Sequence, residues 1–397
     1  MDERNNMENN FLIRNVKIHC PDAIISNGQL LVEDGKIKKI SATEIETTFP
    51  VIDGKGKWLL PGLIDIHING GGGGMSTDCS TESIEKIVQT HAKFGTTGML
   101  VTMISSEENV LIDSAAAIAS VSDDKTIRGS KILGIHMEGP FLSEGKRGIH
   151  PKEALRKPDK ELFDNINASA KNKIKILSIA PELEGAMELI EYAVKQGIIV
   201  GLAHSEATYD ITKEAISKGV NLCVHIFNAM NPLSHKEAGP VGAFLTTENT
   251  FIEIIPDGVH IVPEVMKVVY KVKNPNNIII VTDAVRPTGT NTKFFEMLGK
   301  EVAVSGNTCY LPTTNILAGS ALTMNVALKT FIEKTPKCPI LDAIKMVSLN
   351  PARLLKIDDK KGSIEAGKDA DLILVDDEFN VQLTMVEGDI VYRAFVI

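Results

Sequence analysis

The sequence predicts an α/β chain: a (β/α)8 TIM-like barrel with a small β-sandwich domain formed from both termini. Three observations carry that prediction. Eight short apolar, β-branched runs recur between positions 63 and 282. Helical patterns lie between several of them. Both ends of the chain read instead as alternating strands joined by turns.

Residues 1–10 are polar and lack the apolar stretch of a secretory signal. They are expected to form a lead-in outside the fold, with Met7 as an alternative start. Residues 11–18 and 29–33 are strand-like, and Asp34-Gly35-Lys36-Ile37 supplies a hairpin turn. Lys57-Trp58-Leu59-Leu60 then meets Pro61-Gly62, a break that marks a boundary.

The rhythm changes there. Apolar runs occupy 63–68, 99–104, 132–137, 174–179, 198–203, 221–227, 251–255 and 278–282. Most are too short for helices and apolar on both faces, as buried parallel strands are. Helical patterns open at Thr81 and Glu184. A doubly wound open sheet is the competing arrangement. The barrel is preferred because His67, Glu138, His204, His225 and Asp283 all fall at or just past the carboxyl ends of expected strands, the end where barrels gather their chemistry. Beyond Asp283, helices are expected near 320–335 and 340–355, followed by strands to the end. The resulting division is 1–61 with 360–397 for the sandwich and 62–359 for the barrel. The glycines Gly70–Gly74 lack the Gly-Lys-Ser/Thr ending of a phosphate loop and read as a flexible loop allowing close backbone approach.

Composition excludes several classes. A net charge of -9 argues against a general nucleic-acid binder, though a local pocket on an acidic protein can still take an anion. No apolar run approaches the length of a membrane span. The five cysteines form no Cys-x-x-Cys pair, which fits reduced thiols in the cytosol.

Four segments carry chemistry: Ile135-His136-Met137-Glu138-Gly139-Pro140, Ala203-His204-Ser205, Val224-His225-Ile226-Phe227-Asn228 and Val281-Thr282-Asp283-Ala284. Each residue taken alone has a plain structural alternative. Glu138 is otherwise a strand-end carboxylate in solvent, His204 and His225 core or loop histidines, and Asp283 a helix N-cap. Together, one Glu and two His leave a metal with an open coordination position, and Asp283 lies where a general base belongs. His150 and His260 are loop histidines suited to gripping substrate. His19, His91 and His136 are read as structural.

These segments resemble the N-acetylglucosamine-6-phosphate deacetylases of the amidohydrolase superfamily. The resemblance runs through Pro61-Gly62-Leu63-Ile64-Asp65-Ile66-His67, His136-Met137-Glu138-Gly139-Pro140-Phe141, His225-Ile226-Phe227-Asn228-Ala229-Met230, Asp257-Gly258-Val259-His260 and Leu317-Ala318-Gly319-Ser320. It implies a cytoplasmic homodimer that deacetylates an amino-sugar phosphate in amino-sugar catabolism. It further implies one or two divalent metals, the main one held by Glu138, His204 and His225; one per subunit is expected, and such ligands suit zinc, iron, manganese or cobalt. Asp283 would be the acid/base, His150 would contact the acetyl-sugar portion, and Asn228, Ala229 and His260 would line the sugar-phosphate site. Two departures stand out. His67-Ile68-Asn69 replaces the His-x-His of binuclear relatives, so His67 is a candidate ligand for a second metal that is left open. Lys236 stands where the family shows an Arg reaching a phosphate across the dimer, which keeps the charge and loses the bidentate fork. An N-acetylgalactosamine 6-phosphate or unphosphorylated-hexosamine deacetylase, a cyclic-amide hydrolase, and a barrel without catalysis remain as rivals.

Overall fold

The computed structural model describes residues 10–394. The expectations for the leading segment, Met7 included, lie outside the described residues except at Asn10. That residue is buried, and its side-chain oxygen accepts from the Asp34 N–H at 2.7 Å.

Eight parallel strands form the barrel: β1 (Leu63–Ile68), β2 (Thr96–Ile104), β3 (Lys131–Glu138), β4 (Ile174–Ile179), β5 (Ile199–Leu202), β6 (Val220–Cys223), β7 (Phe251–Ile254) and β8 (Ile278–Ile280). Each pairs with the next in chain order, and a parallel bridge between Ile68 and Ala284 brings β8 back to β1. Every residue of β1 and of β2 is buried, because side chains face the barrel interior on one side and the helices on the other. The helices show the matching one-faced pattern. In α1 (Ala186–Lys195) the buried residues are Ala186, Leu189, Ile190 and Ala193, the spacing of a single helical stripe.

Several strands stop before the apolar runs do. The run 221–227 leaves strand geometry after Cys223, and the run 278–282 after Ile280. His225 and Phe227 adopt left-handed backbone, with φ of 31° and 77°. That conformation is reached by tertiary contact and leaves no mark on hydropathy: the His225 N–H is drawn to the buried Glu253 carboxylate at 3.2 Å.

A four-stranded antiparallel sheet (Phe294–Met297, Lys300–Ser305, Thr308–Tyr310 and Leu317–Ser320) fills the stretch before the last helices, where the sequence reading assigned no structure. Its apolar face, including Phe295, Met297, Val302 and Cys309, packs on Met75, Ile104, Ile149 and Val285 above the barrel strands. The helices that follow run Met324–Lys334, Ile340–Met346 and Leu349–Leu354.

Strands from both ends of the chain make a second sheet. Its order is Asp389–Arg393, Val381–Val386, Leu372–Val375, Trp58–Pro61, Phe11–His19, Ile24–Glu33 and Lys36–Ser41, with Val51–Asp53 also pairing to the Phe11–His19 strand. The strands are hydrogen-bonded as one sheet, and a bridge from Lys36, on its edge strand, to Asp369, just before Leu372–Val375, closes it around Ile13, Val16, Leu30, Leu372 and Met385.

The glycine run is an ordered hairpin rather than a flexible loop. Gly70–Gly71 pairs with Gly74–Met75, and the Gly73 N–H reaches the Arg286 carbonyl. Close approach is the reason for glycine here: a Cβ on Gly70 would lie 2.7 Å from the Arg286 nitrogen and 2.6 Å from the Gly74 oxygen. His91 secures the hairpin by donating from Nε2 to the Gly70 carbonyl at 2.9 Å, a structural role as expected.

Candidate active site

The carboxyl ends of the strands converge on a cavity of about 490 Å³. Glu138, the last residue of β3, is its centre. His204 and His225 follow β5 and β6, and their Nε2 atoms lie 3.3 and 3.0 Å from Glu138 Oε1. His67 approaches from β1, with Nε2 3.2 Å from Glu138 Oε2 and 3.4 Å from Asp283 Oδ1. One ligand atom each from Glu138, His204 and His225 lies within 4.8 Å of the others; His67, Glu138 and Asp283 form a second such group.

Left-handed backbone turns several of these side chains inward. His204, His225, Ala229 and Asp283 have φ of 45°, 31°, 52° and 50°. Such geometry costs about 1–3 kcal/mol per residue and persists only where surrounding contacts hold it. At Asp283 the holders are explicit. Its N–H donates to the His67 carbonyl at 3.0 Å, and its own carbonyl accepts from the Ser320 N–H at 2.8 Å.

The electrostatics follow from crowding. Burial works to raise Glu138, but the positive charge of His67 beside it outweighs that and holds the carboxyl well below its ordinary range. Burial raises Asp283, helped by the neighbouring Glu138 charge. Burial and the adjacent His204 push His150 down to about 3, so it is a neutral imidazole at pH 7. Its Nδ1 accepts from the Ser105 N–H at 3.2 Å, which leaves the proton on Nε2.

The donor set suits a divalent cation. His204 donates from Nδ1 to the Lys146 carbonyl at 2.8 Å, so its Nε2 presents a lone pair toward the Glu138 carboxylate. Lone pair facing carboxylate is unfavourable without a cation between them. Metal-binding histidines are oriented by this kind of outer hydrogen bond.

The cavity is lined by His150, Asn228, Ala229 and His260 as well as by Glu138, His204, His225 and Asp283. Asp257 accepts from His260 Nδ1 at 2.6 Å, so the ring is fixed. Lys236 is exposed and outside the lining, so within one chain it does not join the other residues singled out. Its N–H donates to Ser234 Oγ.

Sequence reasoning missed a deeper layer. Glu253 on β7 is wholly buried and accepts from His67 Nδ1 at 3.0 Å. Asp65 on β1, pushed up to about 7 by burial, accepts from the Thr282 hydroxyl at 2.6 Å. Lys146 and Arg147 also line the cavity. The available signal for Glu253 and Asp65 was an acidic residue inside an otherwise apolar run, which burial makes costly unless it has partners. His136 spans the Ile66 carbonyl and Ser178 Oγ, the structural role expected of it.

Comparison with known proteins adds four findings. A family model described as "Amidohydrolase family" matches residues 58–391. The N-acetylglucosamine-6-phosphate deacetylase of Bacillus subtilis (strain 168) is 34% identical, with 97% of this chain and 98% of that protein covered. Among solved structures, N-acetylglucosamine-6-phosphate deacetylase from Pasteurella multocida superposes with a TM-score of 0.90 at 32% identity, covering 96% of this chain and 99% of that one. The Mycobacterium smegmatis deacetylase, solved in complex with N-acetyl-D-glucosamine-6-phosphate, gives a TM-score of 0.89 at 25% identity, over 96% and 99%.

Proposed function

The chain belongs to the amidohydrolase family, and from that premise we infer that it removes the acetyl group of N-acetylglucosamine 6-phosphate, yielding glucosamine 6-phosphate and acetate. The observation that carries this reading is the meeting of Glu138 with His204 and His225 in a cavity that Asp283 also lines.

Glu138, His204 and His225 would hold one divalent metal, which when bound supplies Lewis-acid chemistry, polarising a carbonyl and easing loss of a proton from water. Its identity among zinc, iron, manganese and cobalt is set by ligand type only in part. His67 with Glu138 and Asp283 offers a candidate second position, supported by the spacing of their ligand atoms.

The chain's own groups do the rest. Asp283 takes a proton from the attacking water and returns it to the departing nitrogen. His150 donates from Nε2 to the carbonyl oxygen as negative charge develops there, a contact whose loss costs about 3–4 kcal/mol in comparable sites. Asn228, Ala229 and His260 line the end of the cavity assigned to the sugar phosphate. Lys236 is assigned to the cavity of a second subunit in a homodimer, consistent with its exposure in its own chain. We place the protein in the cytosol, with its five cysteines free.

Acetate release from a panel of N-acetylglucosamine, N-acetylgalactosamine and their 6-phosphates tests this reading. The glucosamine phosphate should be the best substrate by kcat/KM. Lys236→Ala should raise its KM by roughly tenfold, the loss of about 1.4 kcal/mol, and leave the unphosphorylated sugars unchanged. No acetate from any member would overturn the assignment.

A further inference from the structure

Asn69 holds a position that the chemistry above leaves without a role. It follows β1, its side chain is 1% exposed, and it lines the cavity. Its backbone is pinned on both sides: its N–H donates to the Ala284 carbonyl at 2.8 Å, and its carbonyl accepts from the Ser76 N–H at 2.8 Å. The side chain therefore has little freedom of position.

Its two ends are chemically distinct. The amide Nδ2 donates to Asp283 Oδ1 at 2.6 Å. An ionised carboxylate only accepts, so the NH2 end must face Asp283 and the carbonyl end must face away. That carbonyl, Oδ1, is buried and has no hydrogen-bond partner among the described residues. Buried acceptors are rarely left unpaired, and Asn69 is among the residues that line the cavity, so the partner this oxygen lacks is one a bound ligand can supply. The scissile group of a secondary amide carries one donor, its N–H.

We propose that Asn69 is a catalytic residue that binds both acid/base and substrate: Nδ2 holds Asp283, and Oδ1 accepts the acetamide N–H. This rests on the deacetylase reading. The pairing orients the leaving nitrogen. With its N–H held by Oδ1, the lone pair that forms as the carbonyl carbon becomes tetrahedral is directed to the neighbouring Asp283. The water oxygen bonds to the carbonyl carbon while its proton passes to Asp283. The C–N bond then breaks, its electron pair stays on nitrogen, and nitrogen takes that proton from Asp283. The amine departs with its original hydrogen and the new one, Asp283 is again ionised, and the acetic acid loses its proton to solvent.

Oδ1 occupied by the amide N–H makes a prediction about substrates that lack it. The test compares N-acetylglucosamine 6-phosphate with 2-O-acetylglucose 6-phosphate, an ester with the same acyl group and no N–H. Asn69→Ala should lower kcat/KM for the amide roughly 10- to 100-fold more than for the ester. Asn69→Asp keeps an acceptor at the same place and loses the donor. It should slow both substrates while holding the amide-over-ester preference within about threefold of the wild type, a small change on this scale. Thermal midpoint and bound metal are measured for each variant, and if the alanine variant fails to fold the near-isosteric aspartate variant carries the test. Equal losses for amide and ester in Asn69→Ala, or loss of the preference in Asn69→Asp, would overturn the proposal. Wild-type failure to release acetate from the amide would instead sink the deacetylase reading itself.

Discussion

Two buried clusters, one around Glu138 and one around Lys361, balance charge by opposite means. Lys361 is 9% exposed at its side chain and meets Asp369 at 3.0 Å, Asp371 at 2.8 Å and Glu387 at 3.0 Å. Burial alone would lower Lys361; the three acids reverse that and raise it. The cation is part of the chain, and the cluster sits where the last helix hands over to the terminal strands of the small sheet. Around Glu138 the pattern inverts. Glu138, Glu253 and Asp283 gather about His67, and among the described residues no lysine or arginine pairs with any of them. The first cluster is a finished ionic seam. The second is a set of acceptors whose compensating charge is suited to come from an ion.

Substitutions should separate the two. Glu138→Gln removes the shared ligand. It should cut turnover about 10^4-fold or more, the loss of several kcal/mol of Lewis-acid stabilisation, with bound metal lost on elemental analysis. Its urea midpoint should match that of wild-type protein stripped of its metal, because what the variant loses is the ion that binds only the folded chain. A variant that keeps full metal and activity would erase the contrast. Asp283→Asn is the sharper cut within the site. Turnover should fall about 10^2- to 10^4-fold, the usual worth of a positioned acid/base, while metal stays bound. Near-normal turnover would remove Asp283 from the mechanism. Lys361→Met should do the reverse of Glu138→Gln. It leaves the buried Asp371 without its cation, while Asp369 keeps Lys36 and Glu387 keeps Lys131; the loss should cost about 3–5 kcal/mol of stability, read as a lower urea midpoint, with kcat unchanged in the fraction that stays folded. An unaltered midpoint would mean that the seam contributes nothing.

The sequence foretold the outline of the mouth better than its interior. Glu138, His204, His225 and Asp283 stood out because each lies at or near the end of a short apolar run and can bind a metal or move a proton, and the strands do bring them together. Glu253 and Asp65 were passed over, although each is an acid inside an otherwise apolar run, because hydropathy does not say what such an acid is paired with. Their meaning depends on His67 and Thr282, distant in sequence and adjacent in space. The early end of β6 was equally hidden, because left-handed backbone at His225 answers to a hydrogen bond with Glu253. The inserted sheet between Phe294 and Ser320 was missed for a plainer reason. Its strands are three to six residues long, and turns at Leu298-Gly299 and Gly306-Asn307 break the apolar alternation before it accumulates.

The second sheet has a consequence for how the chain is made. Trp58–Pro61 pairs with Leu372–Val375, so one early strand waits for a partner from the far end of the chain. During synthesis the ribosome releases Trp58 while nearly all of the barrel is still to come. Its hydrogen-bonding edge then stands open to any passing extended segment. Joining such remote partners is slow. Poor yield from an expressing cell is thus expected to show itself as nascent chains aggregating before release, with the molecules that do finish fully competent.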